Sequence, residues 1–156
     1  MKKLVLSIII FFIFNMSVFG HIDHYKTLNY LEYELFRNNK SIGYHKYNFT
    51  RKNDFLIVDS EVEFKISKLG VVLYKYYAKS EETYKNNEFF GFSSKTKQNK
   101  KKKYVNISVL ESKNKLLVDG SSFKGETSKE NIIGTWWNHE IIKAKAQISA
   151  ISGRII

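Results

Sequence analysis

The chain is patterned mainly with a period of two, in which apolar and polar residues alternate. The clearest run covers residues 56–66, where the even positions are mostly apolar and the odd positions include Asp59, Glu61 and Glu63. Alternation of this kind places one face of a strand against a core and the other face in water. The sequence therefore predicts a half-buried β-strand here and indicates a mainly β protein.

Further segments carry the same signal, and short polar turns separate them. Several turns contain asparagine, which tolerates the left-handed backbone that hairpin turns require. Strands joined in this way favour a curved antiparallel meander that forms an open or closed barrel-like sheet. The remaining predicted strands are residues 30–37, 41–51, 71–80 with an extension to 85, 89–97, 104–111 and 115–119.

The last part of the chain changes character. Residues 120–131 are polar and are predicted to form a loop. Asn138 then suits a helix N-cap, Glu140 suits a first turn, and the alanines that follow favour a helix. The pattern predicts one short C-terminal helix at about residues 138–148.

The N-terminus is typical of a secretory signal. A basic tip at residues 1–3 precedes an apolar run at residues 4–14, and the small residues Val18 and Gly20 suit a cleavage site. We expect a signal helix over residues 1–20 that is removed after export. The apolar run is shorter than the about 20 residues that a membrane span needs, so an uncleaved anchor is the weaker alternative.

Cleavage before His21 would leave one β-rich domain over residues 21–156. The predicted location is therefore outside the cytoplasm, in the periplasm of a bacterium. The formal charge of the whole precursor is +11, and a basic surface attracts anionic partners. Because an exported protein rarely meets chromosomal DNA, no nucleic-acid partner is expected.

Composition excludes several kinds of chemistry. The chain has no cysteine, which rules out disulfides, thiolate zinc sites and cysteine nucleophiles. It also contains no nucleophile-elbow motif, no glycine-rich phosphate loop and no zinc-protease motif. We therefore predict a protein that is not an enzyme, with no cofactor and no metal site, although an enzyme of unrecognised type remains an alternative.

The order of short motifs resembles an uncharacterised family of small exported bacterial proteins, catalogued as a domain of unknown function. The resemblance covers nearly all of residues 28–154 and implies an exported β-barrel-like domain with no known activity. Members of that family continue with further strands, so the resemblance also implies that this chain is truncated at its C-terminus. The matching residues are Asn39 to His45, Ser60 to Phe64, Leu69, Gly70, Tyr74, Tyr76, Ser80, Glu82, Gly134 to Asn138 and Ala150 to Gly153.

A looser, fold-level similarity connects the predicted sheet to periplasmic lipoprotein carriers and lipocalin-like proteins. Such proteins curve an antiparallel sheet around an apolar ligand or a helix, but a shared fold does not fix a function. Aromatic residues are the richest feature of the chain, and they suit either a filled core or an apolar cavity. The candidate ligand-binding residues are Tyr44, Phe64, Tyr74, Tyr76, Trp136 and Trp137.

The polar residues are weaker candidates for a functional site. His45 is predicted on the same strand face as Tyr47, bonded to a neighbour, and Glu81 and Glu82 are predicted to be solvated. The lysine run at residues 100–103 is a candidate contact with an anionic lipid surface or, alternatively, a solvated hairpin tip; its members are Lys100, Lys101, Lys102 and Lys103.

Three functions are therefore open. The favoured one is non-catalytic binding of an apolar or lipid-like ligand, with an envelope protein as another possible partner. The alternatives are a structural or protein-interaction module with a filled core, and an unrecognised enzyme.

Overall fold

The computed structural model describes residues 25–156, so the predicted signal peptide at residues 1–20 lies outside the described part. Eight antiparallel strands follow one another in sequence order within a single sheet. They are β1 Tyr30–Arg37, β2 Lys40–Lys52, β3 Phe55–Lys68, β4 Val71–Lys85, β5 Glu88–Gln98, β6 Lys101–Leu110, β7 Lys115–Gly120 and β8 Lys124–Ser128.

The predicted antiparallel meander is confirmed, and the sheet is open. Among the described residues, β1 and β8 are the two edge strands and do not pair with each other. Of the two forms predicted, the closed barrel is therefore wrong. The predicted loop at residues 120–131 is also wrong in part, because β8 lies within it and pairs with β7. The five residues of β8 are lysine, glycine, glutamate, threonine and serine, which carry no apolar alternation that would signal a strand.

Asparagine forms most of the hairpin turns. Asn38 and Asn39 join β1 to β2, and Asn86 and Asn87 join β4 to β5, all with positive φ. The β3–β4 turn differs, because Leu69 stands there at φ 50° and precedes a glycine. A bulky residue in the left-handed region is a conformational outlier.

Residues 131–156 form the C-terminal cover, which packs across one face of the sheet. Within it, β9 (Ile132–Ile133) and β10 (Gln147–Ile148) make a short parallel pair. The Ser94 hydroxyl donates a hydrogen bond to the Ala150 carbonyl oxygen, and the amide of Ser122 donates to the Ser152 carbonyl oxygen. The sheet face beneath the cover is called the inner face below.

The predicted C-terminal helix is wrong in extent and type. The Asn138 side chain does cap a turn by accepting from the Glu140 amide at 3.0 Å, but only a 3-10 helix at His139–Ile142 follows. The chain then leaves the helical path because Gln147 and Ile148 pair with β9. Packing against the sheet outweighs the helical preference of the alanines.

Two clusters of buried side chains form the core between the inner face and the cover. One is aromatic and lies towards β2, β3 and β4, and the other is mainly aliphatic and lies towards β5, β6 and β7. The first contains Tyr47, Phe49, Leu56, Val58, Tyr84 and Trp137; the second contains Phe92, Val105, Ile107, Leu116, Val118, Ile133 and Ile148.

In the part of the chain that the structure describes, no helix is long and apolar enough to cross a bilayer.

Candidate functional site

A buried carboxylate ties the cover to the sheet. Glu82 of β4 projects into the core, where its Oε2 accepts hydrogen bonds from Thr135 Oγ1 at 2.9 Å and from Trp137 Nε1 at 2.8 Å. The Tyr84 hydroxyl donates to the other carboxylate oxygen. Burial raises the pKa of Glu82, and the three donors partly offset that effect. The prediction that Glu82 is solvated is wrong, whereas Glu81 is exposed.

A second polar chain runs through His45 on β2. His45 lies within hydrogen-bond distance of Ser60 Oγ (2.9 Å from Nε2) and of the Tyr47 hydroxyl oxygen (3.3 Å from Nδ1). Tyr47 donates its own proton to the Thr135 carbonyl oxygen at 2.6 Å. The Tyr47 oxygen is therefore left to accept from Nδ1–H, and Nε2 is left to accept from Ser60. Burial lowers the pKa of His45 to about 4, so the ring is neutral at pH 7.

This histidine chain matches the sequence prediction of a strand histidine bonded to its neighbours. A catalytic base would gain from a carboxylate that stabilises its protonated form, as in a serine–histidine–aspartate triad. His45 instead faces a tyrosine whose proton is already committed to Thr135. The hydrogen bonds from Ser60 through His45 and Tyr47 to Thr135 connect the inner face to the cover.

Three of the predicted ligand-binding residues form one surface, which we call the aromatic stripe: Phe64, Tyr74 and Tyr76. The Phe64 ring stacks on Tyr76 with centroids 5.0 Å apart and lies 5.8 Å from Tyr74. The stripe is half-buried. It lies one row of cross-strand pairs beyond Ala78 and Thr96, which are buried. It is therefore an apolar part of the inner face at the limit of the covered core.

The two tryptophans have opposite environments. Trp137 is 4% exposed and packs within the aromatic core cluster. Trp136 is 74% exposed and has a φ of 66°. It lines a narrow cleft of about 90 Å3 together with His45, Val62 and Tyr76. Trp136 thus marks the border between the cover and the aromatic stripe.

Tyr44 stands apart from the stripe. It pairs across the strands with Glu63, which pairs in turn with Tyr77, and this row belongs to the outer, polar face. Its hydroxyl donates to Glu61 at 2.9 Å, and this bond raises the pKa of Tyr44 to about 12. A wide, open cavity of about 680 Å3 is nevertheless lined by residues of both faces, among them Tyr44, Tyr77, Phe64, Tyr76, Lys65 and Lys97.

The predicted lysine run does not form one loop. Lys101, Lys102 and Lys103 lie in β6, where Lys101 and Lys103 face inward opposite Gln98 and Thr96. Lys102 pairs with Lys97 on the outer face. The run is thus divided between the two faces, and contact with an anionic surface stays a prediction.

A further cavity of about 250 Å3 lies beneath the cover. Its apolar walls come from Phe89, Leu116 and Ile133, and Glu82 and Glu140 supply carboxylates. Sequence reasoning missed this cavity because its walls come from strands and a cover that are distant along the chain. Among the described residues, no cluster of three or more histidine, aspartate or glutamate side chains could hold a metal ion.

A family model with the description "Domain of unknown function (DUF6134)" matches residues 33–156. The chain belongs to this family. The match begins within β1 and continues through the whole sheet and the cover, so the DUF6134 domain includes every site described above. The predicted membership of an uncharacterised family is therefore confirmed. No curated protein and no solved structure matches the chain.

In this DUF6134 domain, the residues that sequence reasoning missed are Glu82, Thr135 and Tyr47 with their hydrogen bonds. Glu82 carried one usable signal, because it occupies an even position of β4 between Ala78 and Tyr84 in the alternation. An acid in phase with the apolar positions of a strand faces the core when that face is covered.

Proposed function

We propose that this protein is exported to the bacterial periplasm, where it binds an apolar or lipid-like ligand without catalysis. The observation that carries the proposal is the aromatic stripe together with the exposed Trp136 at its border. Apolar ligands bind to concave surfaces lined mainly by aromatic and aliphatic side chains, with few polar groups. The proposed site consists of Phe64, Tyr74, Tyr76, Val62 and Trp136.

The geometry of the stripe suits an extended apolar chain. Phe64 and Tyr76 are stacked on each other and form one aromatic pair. Tyr76 also lines the cleft that contains Trp136, so the apolar surface continues to that side chain. The indole of Trp136 is largely exposed, and its backbone lies in the left-handed region, which has a conformational cost. Contacts between the indole and a ligand would offset that cost.

A structural or protein-interaction module is the second candidate. Beyond the stripe, the cover packs on the inner face and buries side chains such as Val118 of β7 with Ile133 and Ile148 of the cover. Apart from the cavity beside Glu82, this close packing favours a scaffold over a carrier that encloses its ligand. The ligand proposal therefore concerns an open surface, not a closed chamber.

Fluorescence quenching tests the ligand proposal directly, because the chain has only two tryptophans. The protein purified from a secreting bacterial host would be titrated with a brominated fatty acid below its micelle concentration. We expect saturable quenching of the wild-type protein. Trp136→Phe should remove most of it, since the remaining Trp137 is buried away from the proposed site.

Two outcomes would oppose the proposal. Quenching that never saturates in the wild-type protein would favour the structural or protein-interaction module. Equal quenching of the wild type and Trp136→Phe would indicate that the ligand binds in the cavity beside Glu82. A native mass of the secreted protein that equals residues 21–156 would separately support export with cleavage.

A further inference from the structure

The hairpin of β3 and β4 continues beyond its last pairs with the strands on either side. The last pair between β2 and β3 is Gly43–Phe64, and the last pair between β4 and β5 is Tyr76–Gln98. Residues 66–74 pair only with one another, and we call them the β3–β4 ribbon. At about 3.3 Å per residue, the tip stands on the order of 10 Å beyond these last pairs with the neighbouring strands.

The ribbon exposes apolar side chains at its tip. Leu69 is 95% exposed, and Val71, Val72 and Leu73 are also exposed. A two-stranded ribbon without a covering layer is at best marginally stable in water. A contiguous group of large aliphatic side chains at such a tip is the kind of surface that marks an interaction site.

Besides exposing an apolar side chain, Leu69 adopts an unfavourable backbone conformation. At the other hairpin turns of the described chain, the non-glycine residues with positive φ are all asparagine. Leu69 occupies the corresponding position at φ 50°, where Asn would be both more soluble and less strained. An outlier of this kind supports a functional hypothesis, because folding alone would favour the polar residue.

The charge along the ribbon itself has one sign. Residues 64–80 contain no acidic residue, and Lys65, Lys68 and Lys75 lie along the ribbon and at its base. The β5–β6 turn points to the same end of the meander and adds Lys100. Lysines near an apolar tip suit an anionic membrane, because they reach phosphates while the aliphatic groups enter the interface.

We propose that the β3–β4 ribbon docks the protein on anionic lipid bilayers. Leu69, Val71 and Leu73 enter the headgroup region, and Lys65, Lys68 and Lys75 contact the lipid phosphates. A bilayer fits better than an added protein strand, because the apolar groups stand at the tip and lysines along a strand discourage edge pairing. Docking does not require the proposed ligand binding, although Tyr74 of the ribbon belongs to the aromatic stripe.

Vesicle flotation tests the proposal with the secreted protein. Vesicles of phosphatidylcholine and phosphatidylglycerol in a 3:1 ratio would be compared with vesicles of phosphatidylcholine alone. We expect binding to the anionic vesicles to be several-fold tighter and to weaken with salt. Leu69→Asn should lower the partition coefficient about tenfold or more, as expected for the loss of one buried leucine side chain.

The variants separate docking from misfolding. Leu69→Asn should not lower the melting temperature, since asparagine suits the left-handed turn. Ile142→Asn is the matched control, because Ile142 is an equally sized aliphatic residue that is 84% exposed in the cover, and it should bind vesicles as the wild type does. Lys65→Gln with Lys68→Gln should weaken binding to anionic vesicles by about fivefold for each lysine.

Three results would overturn the proposal: no flotation of the wild type with anionic vesicles, equal binding by Leu69→Asn, or an equal loss in Ile142→Asn. Absence of wild-type flotation would instead favour a protein partner for the ribbon. Saturable quenching by the brominated fatty acid that persists in Leu69→Asn would show that ligand binding and docking are separate properties.

Discussion

Trp137 Nε1 donates a hydrogen bond to Glu82 Oε2 at 2.8 Å inside the core. This bond joins the middle of the sheet to the C-terminal cover, and Thr135 adds a second donor to the same oxygen. A buried carboxylate is tolerated only when its oxygens are paired. The cover therefore supplies two of the three donors that allow Glu82 to lie in the core.

Removal of the Glu82 carboxyl should destabilise the protein strongly. Glu82→Ala would leave Trp137 Nε1 without an acceptor and would open a cavity, so we expect a loss of about 3 kcal/mol or more. Glu82→Gln keeps the shape, and the Tyr84 and Thr135 hydroxyls can rotate to match an amide, so about 1 kcal/mol is expected. Urea unfolding followed by tryptophan fluorescence checks both values. Equal losses in the two variants would argue against the hydrogen-bonded role.

Stability should fall on acidification because of His45. Its pKa is about 4 in the folded protein and near 6.5 in an unfolded chain. Between these values the unfolded chain binds a proton that the folded protein does not, so this contribution to stability decreases as the pH falls from 6.5 to 4. Glu82 acts in the opposite direction, since its raised pKa lets the folded protein take up a proton above the unfolded value.

The contribution of His45 is therefore best measured in the Glu82→Gln background. Melting temperatures from pH 7 to pH 4 should fall less in His45→Gln/Glu82→Gln than in Glu82→Gln alone. Parallel curves for the two proteins would show that His45 titrates normally in the folded state.

Gly120 should not accept a side chain. A Cβ atom there would lie 2.5 Å from the Ser152 carbonyl oxygen and 2.9 Å from Gly153 Cα. Gly120→Ala must displace the cover from β7, and we expect a cost of about 1–3 kcal/mol. Gly91→Ala is the control, because its Cβ would meet only the Ile107 carbonyl oxygen at 3.5 Å. Thermal unfolding of both variants checks the prediction, which equal melting temperatures would refute.

Phe64 should contribute directly to ligand affinity. Phe64→Ser removes the ring between Tyr74 and Tyr76, and the lost apolar contact should weaken binding at least tenfold. Phe90→Ser is a suitable control, since Phe90 is an exposed phenylalanine that contacts Phe55, away from the stripe. Quenching titrations with the brominated fatty acid compare the two dissociation constants. A similar weakening in both variants would place the ligand elsewhere.

The strands could be predicted from the sequence because their signal is local. The predicted first strand at residues 30–37 coincides with β1, and the run at residues 56–66 lies within β3. The asparagine turns between them also have the expected left-handed backbone. Alternation and turn preference each depend on a few neighbouring residues, so a single sequence is enough to detect them.

The structure of the cover could not be predicted from the sequence in the same way. The helix expected at about residues 138–148 had a real cap at Asn138, but the segment ends as a 3-10 turn and then pairs with β9. No local pattern distinguishes these outcomes, because burial of Ile141 and Ile148 against a distant sheet decides between them.

The sequence by itself determined the order of β1 to β7, the asparagine turns and the division of the clearest strands into an apolar and a polar side. Tertiary structure alone decided that the sheet stays open, that the cover fills most of its inner face, and that Glu82 is buried. It also separated Trp136 from Trp137 and left the aromatic stripe and the β3–β4 ribbon exposed. The reason is physical: alternation shows which side chains share a face, but only the packing of distant segments determines which part of that face is buried.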